Sequence, residues 1–191
     1  MNYHNKINKT SKRQINYANR GMDLEELINL TNRYYLDNDI AVIYKKPTPI
    51  GISKVKYENN KKIISKSYFK EQSTLDYNGL YKGYYIDFDA KVTKNKTAFP
   101  LSNIHPHQIE HIKKVLKHKG VAFLIISMNG IYFLFPGTKL IEYIENNDRK
   151  SIDFDYIKNN SYLLKESLNP ALDYINALDN LIKEMHLIEK N

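Results

Sequence analysis

A carboxylate, one spacer and a lysine on an extended strand put an acid and an ammonium on the same side, because strand side chains alternate with period two. Asp89-Ala90-Lys91 has that spacing. Such a pair can hold a divalent cation through the acid while the ammonium faces a phosphate or an attacking water. The triplet alone says little, because 21 acids and 25 lysines (29 Lys and Arg together, four of them Arg) give about 2.7 such triplets by chance, and the chain has two. The other is Asp148-Arg149-Lys150. Context separates them: Asp89 and Lys91 fall in a strand-like run, Asp76 stands earlier beside a glycine turn, and Thr74 precedes Asp76 by two residues. An ion pair across one face is the other reading of Asp89 and Lys91.

A second constellation, His107-Gln108-Ile109-Glu110-His111, has the His-x-x-Glu-His spacing of inverted zinc peptidases. Two histidines four apart share one face of a helix. The helix continues into Lys113, Lys114, Lys117 and Lys119, a cationic surround that opposes Zn²⁺. A basic helix facing a phosphate backbone suits this segment better, with Gln108 in its first turn able to point at the carboxylates. Other phosphate-handling motifs, the Gly-x-x-x-x-Gly-Lys loop and the Gly-x-Gly-x-x-Gly turn, do not occur among the seven glycines.

The elements that must position these residues follow from periodicity. Asp23-Leu24-Glu25-Glu26 has capping-box spacing, and Leu24, Leu27, Ile28 and Tyr34 or Tyr35 recur at helical intervals, predicting a helix to about Leu36. Ile40 to Tyr44 reads as a short buried strand, stopped by Lys46-Pro47-Thr48-Pro49. Between Ile50 and Phe69 two strand-like runs flank a turn at Glu58-Asn59-Asn60, with lysines on both faces. A ribbon without an apolar face cannot be buried, which predicts a protruding hairpin whose lysines meet an anion or whose flanks lean on a partner subunit. Asp76 to Gly79 and Gly83 frame a turn, and Tyr84 to Val92 forms a strand with Asp87, Asp89 and Lys91 on one face and Ile86, Phe88 and Ala90 on the other. His105-Pro106 opens a helix that Gly120 closes, Val121 to Ser127 and Ile131 to Phe135 make a hairpin through Asn129-Gly130, and a last amphipathic helix starts at Asn169-Pro170 with Leu172, Ile175, Leu178, Ile182 and Met185 inward.

The whole chain, 191 residues with net charge +8, is of a size for one basic domain. No apolar run approaches the ~18 residues of a spanning helix. Zero cysteines exclude a disulfide scaffold, a thiolate zinc site and a cysteine nucleophile. Residues 1–20 carry +5, residues 45–70 carry +7 and residues 91–120 carry +6, leaving −10 for the remainder. Acids and bases are therefore segregated, which favours a polyanion partner held near a carboxylate cluster. The first 19 residues read as a disordered basic arm without the apolar stretch of a signal peptide, so the expectation is a cytoplasmic protein with no membrane contact.

Taken together, these motifs resemble the RecU Holliday junction resolvases, dimeric nucleases of the restriction-endonuclease-like, PD-(D/E)xK superfamily. The resemblance is carried by Asn19-Arg20-Gly21-Met22, by Ile40-Ala41-Val42-Ile43 through Lys45-Lys46-Pro47-Thr48-Pro49, and by Asp76-Tyr77-Asn78-Gly79 with Tyr81-Lys82-Gly83. Tyr85-Ile86-Asp87-Phe88 into Lys91, Thr93 to Thr97, Phe99-Pro100-Leu101 and His107 to His111 extend it. It spans roughly Tyr17 to Phe135, with a weaker match from Pro170 to Ile175.

The resemblance implies an α/β fold, a restriction-endonuclease-like mixed sheet flanked by helices, spanning 20–191 with a β-hairpin stalk at about 50–69. It implies that Thr74, Asp76, Asp89 and Gln108 surround Mg²⁺, with Mn²⁺ as an alternative ion, and that Lys91 stabilises the transition state beside the catalytic acids Asp76 and Asp89. Where the family strand usually reads Phe-Glu-Ala-Lys this chain has Phe88-Asp89-Ala90-Lys91, one methylene shorter, with Asp87 on the same face as a candidate to compensate. The implied partners are four-way junction DNA, a second copy in a homodimer, RecA and the branch-migration helicase. Lys54, Lys56, Lys61, Lys62 and Lys66 of the ribbon, with Arg20, Lys94, Lys96 and Lys113, are the expected DNA contacts. The expected activity is Mg-dependent, symmetric resolution of Holliday junctions. The competing expectations are a non-catalytic junction-bridging protein and a restriction-type nuclease acting on linear duplex.

Overall fold

Asp23 accepts a hydrogen bond from the Glu26 amide at 2.7 Å and so caps helix α1, Leu24–Asp37, whose buried Leu24, Leu27, Ile28 and Tyr35 form the expected apolar stripe. The computed structural model describes residues 22–69 and 74–188. The basic arm and Arg20 lie outside the described residues.

A seven-stranded mixed sheet follows α1. Its spatial order is β1 (Val42–Lys45), β4 (Tyr77–Tyr81), β5 (Tyr84–Val92), β7 (Val121–Met128), β8 (Ile131–Pro136), β10 (Tyr162–Glu166) and β11 (Leu172–Asp173). Neighbours are antiparallel except β5 and β7, which run parallel. Parallel neighbours need a crossover. Here it consists of the short strand β6 (Ala98–Pro100), a turn of 3₁₀-helix and helix α2 (Pro106–Lys117), which lays α2 against β7. Helices α3 (Gly137–Asn146) and α4 (Phe154–Asn159) join α2 on that side, β9 (Ser151–Asp153) pairs with β6, and α5 (Ile175–Ile188) lies with α1 on the other.

Two apolar clusters fill the spaces between layers. On the α1 and α5 side, Tyr77, Phe88 and Phe123 are register partners on three adjacent strands, and their rings stack at 4.8 and 4.7 Å. On the α2 and α3 side, Ala122, Leu124 and Ile126 pack with Ile112, Val115 and Leu140. Strand β7 feeds both clusters, which is why Val121 to Ile126 is an unbroken buried run. Strand β5 is different: Ile86 and Phe88 enter the first cluster, while the fully buried Asp87 and Asp89 face the second side.

Several elements depart from the sequence expectations. The strand expected at Ile40 to Tyr44 runs over Val42–Lys45 and is an edge strand in which only Ile43 is buried, with Val42 and Tyr44 about half exposed. Residues 77–81 form a strand rather than part of a turn, and the reversal is confined to Lys82 and Gly83, with φ of 49° and 85°. Gly79 serves close approach: a Cβ there would lie 2.0 Å from the Val42 carbonyl oxygen. At the end of α2 the left-handed residue is Lys119, φ 62°, and not Gly120. The last helix begins at Ile175, because the preceding backbone is committed elsewhere: the Leu172 amide donates to Thr31 Oγ1 at 2.8 Å and the Tyr174 amide to Tyr35 Oη at 3.0 Å. Helices α3 and α4 and strands β9, β10 and β11 were not anticipated.

Residues 50–69 form their own two-stranded sheet, β2 (Ile50–Glu58) paired with β3 (Lys61–Phe69) through a turn at Asn59 and Asn60, φ 49° and 59°. Lys54, Lys56, Lys61, Lys62 and Lys66 are all exposed, and among the described side chains neither apolar cluster includes one from the ribbon.

Candidate active site

Strand β5 fixes the acid and the ammonium first. Period two places Asp89 and Lys91 on one face, and Lys91 Nζ lies 3.0 Å from Asp89 Oδ2. The crossover then brings the first turn of α2 above them. Gln108 Nε2 donates to Asp89 Oδ2 at 2.5 Å, and Gln108 Oε1 accepts from Lys91 Nζ at 3.2 Å and from the His105 amide at 3.1 Å. The His105 contact closes the helix N-terminus, so one side chain both caps α2 and meets strand β5.

Asp76 enters at the start of β4, where its carbonyl accepts from the Lys46 amide at 2.7 Å. Its carboxyl is pushed above the ordinary carboxylate range, first by burial and then by the Asp89 charge beside it, with Lys91 and Lys45 offsetting part of the rise. Thr74, two residues earlier and half buried, donates to the Leu75 carbonyl at 3.3 Å. Asp76, Asp89, Lys91 and Gln108 are thus gathered at one place, and Thr74 sits in the segment that delivers Asp76.

The donor chemistry fits a small hard cation. Asp89 Oδ1 is buried without a hydrogen-bond partner, and the two adjacent carboxylates repel each other in a site that excludes much of the water. A divalent ion bound through Asp76 and Asp89 would relieve both costs; Gln108 Oε1, which accepts from Lys91 and the His105 amide, could serve as a neutral oxygen donor only by releasing one of them, and the Thr74 hydroxyl lies in the segment leading to Asp76. Among the described residues no group of three or more His, Cys, Asp or Glu is placed to hold a metal, so an ion here would need neutral oxygen donors or water beside the two acids.

Asp87 does not stand in for the missing methylene of Asp89. Its carboxylate is fully buried and occupied: Lys46 Nζ lies 3.1 and 3.2 Å from its two oxygens, Tyr85 Oη donates to Oδ2 at 2.8 Å, and His111 Nε2 lies 2.8 Å from Oδ2. His107, by contrast, stacks on His105 with ring centroids 5.4 Å apart. The two histidines of the peptidase-like motif therefore have separate partners. The Asp87 cluster escaped sequence reasoning, although period two had put Asp87 on the acid face.

The expected DNA contacts are dispersed. Lys94 and Lys96 are exposed in the loop after β5, whereas Lys113 is partly buried and paired with Glu145 of α3 at 3.1 Å. A separate cleft of about 580 Å³ at the far end of α2 is lined by Tyr84, Tyr85, Lys114, Val115 and His118 among others and includes none of the catalytic candidates.

The family described as RecU, recombination protein U, matches residues 19–180. The chain belongs to the RecU family. RecU relatives named Holliday junction resolvase include those of Bacillus subtilis, 49% identical over 90% of this chain and 85% of the relative, and Lactobacillus helveticus, 47% identical over 92% and 85%. That of Leuconostoc mesenteroides is 47% identical over 93% of this chain and 89% of the relative. Among solved structures, Archaeoglobus fulgidus Hjc, a Holliday junction resolvase, is a loose likeness, with a TM-score of 0.40 and 11% identity over 69% of this chain and 94% of that one. The RecU match runs through every residue of the cluster built above, from Thr74 to His111.

Proposed function

We propose that this chain is a Holliday junction resolvase that hydrolyses phosphodiesters of four-way DNA with Mg²⁺ or Mn²⁺ held by Asp76 and Asp89, as a homodimer with one site per copy. The observation that carries the reading is the pair of half-buried Asp76 and fully buried Asp89, with Asp89 Oδ1 unpartnered, set against Lys91 in a RecU-family chain. A bound divalent ion would supply the activated water and part of the charge neutralisation that phosphodiester cleavage requires. Lys91 supplies the rest: its ammonium, partly buried and aimed by Asp89 and Gln108, faces the charge that develops on the non-bridging oxygens. Gln108 holds the Asp89 carboxylate in place, and the surrounding burial limits competing water.

A dimer is supported by an uncovered apolar row. Val42, Leu80 and Tyr85 are register partners across β1, β4 and β5, each between 43% and 53% exposed, on the sheet face opposite the α1 and α5 cluster, with Tyr85 bordering the C-terminal end of α2. Two-fold symmetry in the protein would match two symmetric nicks in the junction. The exposed lysines of the β2–β3 ribbon support its reading as a stalk that enters the crossover.

The test is a synthetic four-way junction with Mg²⁺. Lys91→Ala and Asp76→Ala are expected to bind it and leave it uncut, with linear duplex a poor substrate for the parent. A Lys91→Ala chain cutting at the parent rate would refute the assignment, a parent that binds without nicking would leave a bridging protein, and equal cutting of linear duplex would point to a restriction-type nuclease.

A further inference from the structure

We propose that Asp87 and His111 form a positioning device that sets helix α2 and the Asp76 segment in register with the catalytic strand, and that divalent-ion affinity depends on it. The inference rests on the reading that Asp76 and Asp89 hold the ion.

The geometry is a ladder with two rungs. Asp87 and Asp89 lie two residues apart on β5, about 6.8 Å along the strand. Gln108 and His111 lie three residues apart on α2, about 4.5 Å along the helix and on the same side. Gln108 meets Asp89 and His111 meets Asp87, at 2.5 and 2.8 Å. One contact alone would leave the helix free to turn about it. Two contacts on different strand residues fix rotation and translation together, and a slip of one helical residue, about 100° of turn, would carry Gln108 away from Asp89.

Asp87 also holds the other acid's segment. Lys46 donates through Nζ to Asp87 and through its backbone amide to the Asp76 carbonyl. The fully buried carboxylate therefore joins three stretches of chain: β5 with Asp89 and Lys91, α2 with Gln108, and the Lys46 strap that carries Asp76. No atom of Asp87 is left for a cation, since both oxygens are taken by Lys46, Tyr85 and His111. A core needing only apolar packing would have no use for an ionisable group here, where burial is costly unless the charge is paired. Partners of this kind, one step behind the ligands, typically govern 10–100-fold in metal affinity or activity.

Removing His111 still leaves Asp87 two donors, Lys46 and Tyr85, so the fold has a means to tolerate the change. The experiment measures Mn²⁺ binding to the full-length, DNA-free protein by titration calorimetry, alongside melting temperature in EDTA. His111→Ala is expected to weaken Mn²⁺ roughly tenfold or more. His111→Gln, whose amide nitrogen can reach the position of the imidazole Nε2, is expected to restore most of the affinity. Lys46→Met, which keeps the aliphatic stem, should weaken Mn²⁺ in the same way, and it carries the test if His111→Ala does not fold. Junction binding in Ca²⁺ should be retained by His111→Ala and His111→Gln. Parent-like Mn²⁺ affinity in folded His111→Ala or Lys46→Met would overturn the proposal, as would a His111→Gln chain no better than His111→Ala. If the parent binds no Mn²⁺, or Asp76→Asn binds it as the parent does, the ion-site reading itself falls and this inference with it.

Discussion

Replacing Asp76 by Asn should stabilise the metal-free protein and abolish its stabilisation by metal. Asp76 is partly buried beside the fully buried Asp89, and its carboxyl is held above the ordinary range by burial and by that neighbour. A raised carboxyl binds its proton more tightly in the folded chain than in the unfolded one, so stability falls as pH rises from the unfolded value, about 3.9, through the folded one. Above that window the full cost is present. Two unit charges about 4 Å apart repel by roughly 4 kcal/mol at an effective dielectric of 20, and the partial exposure of Asp76 together with Lys91 and Lys45 reduces this to about 1 kcal/mol. Asn keeps the shape and removes the charge. For a chain of this length about 1 kcal/mol corresponds to a melting temperature roughly 2–4 °C higher at pH 7.5 in EDTA, a gain that disappears below about pH 4. With Mn²⁺ at about 100 times its dissociation constant the parent should gain about 2.7 kcal/mol, and the variant almost nothing. The assay is a thermal melt of both proteins across pH, in EDTA and in Mn²⁺. A variant that melts below the parent in EDTA at neutral pH, and rises equally with Mn²⁺, would refute the account of a strained acid pair relieved by an ion.

Three further outcomes are expected. Gly79→Ala places a Cβ on the Val42 carbonyl, a clash with backbone that cannot move aside, and should cost about 3 kcal/mol and lower the melting temperature by roughly 6–12 °C; a parent-like melt would show that β1 can shift freely. Excising residues 51–68 in favour of a short glycine-serine turn should leave the melt nearly unchanged, because no described side chain of the ribbon joins either apolar cluster, while the preference for four-way over linear DNA is lost. An unchanged preference would deny the ribbon a role in junction recognition. Junction affinity should fall steeply with salt, with a log–log slope of about −0.9 per phosphate neutralised, and a flat titration would contradict DNA contact by the basic blocks.

Much of the scaffold was legible because it depends on local rules. The Asp23 cap, the Asn59-Asn60 and Asn129-Gly130 turns and the alternation of Tyr84 to Val92 are set by neighbouring residues, and each stands where periodicity and turn chemistry placed it. The errors arose where a distant segment decided. Gly79 reads as a turn glycine until β1 lies against it, and Leu172 reads as helical until Thr31 and β10 claim its backbone.

The site divides along the same line. Period two by itself determined that Asp87, Asp89 and Lys91 share a face, and chain composition determined that cysteine chemistry is excluded. Only the tertiary structure decided which acid stays open and which is consumed. Asp87 meets Lys46 across 41 residues and His111 across 24, and Gln108 reaches Asp89 across 19. Periodicity tells which side of a strand a residue occupies. It carries no information about what the crossover lays opposite, and that opposing layer is what leaves Asp89 Oδ1 unpartnered while both oxygens of Asp87 are bound.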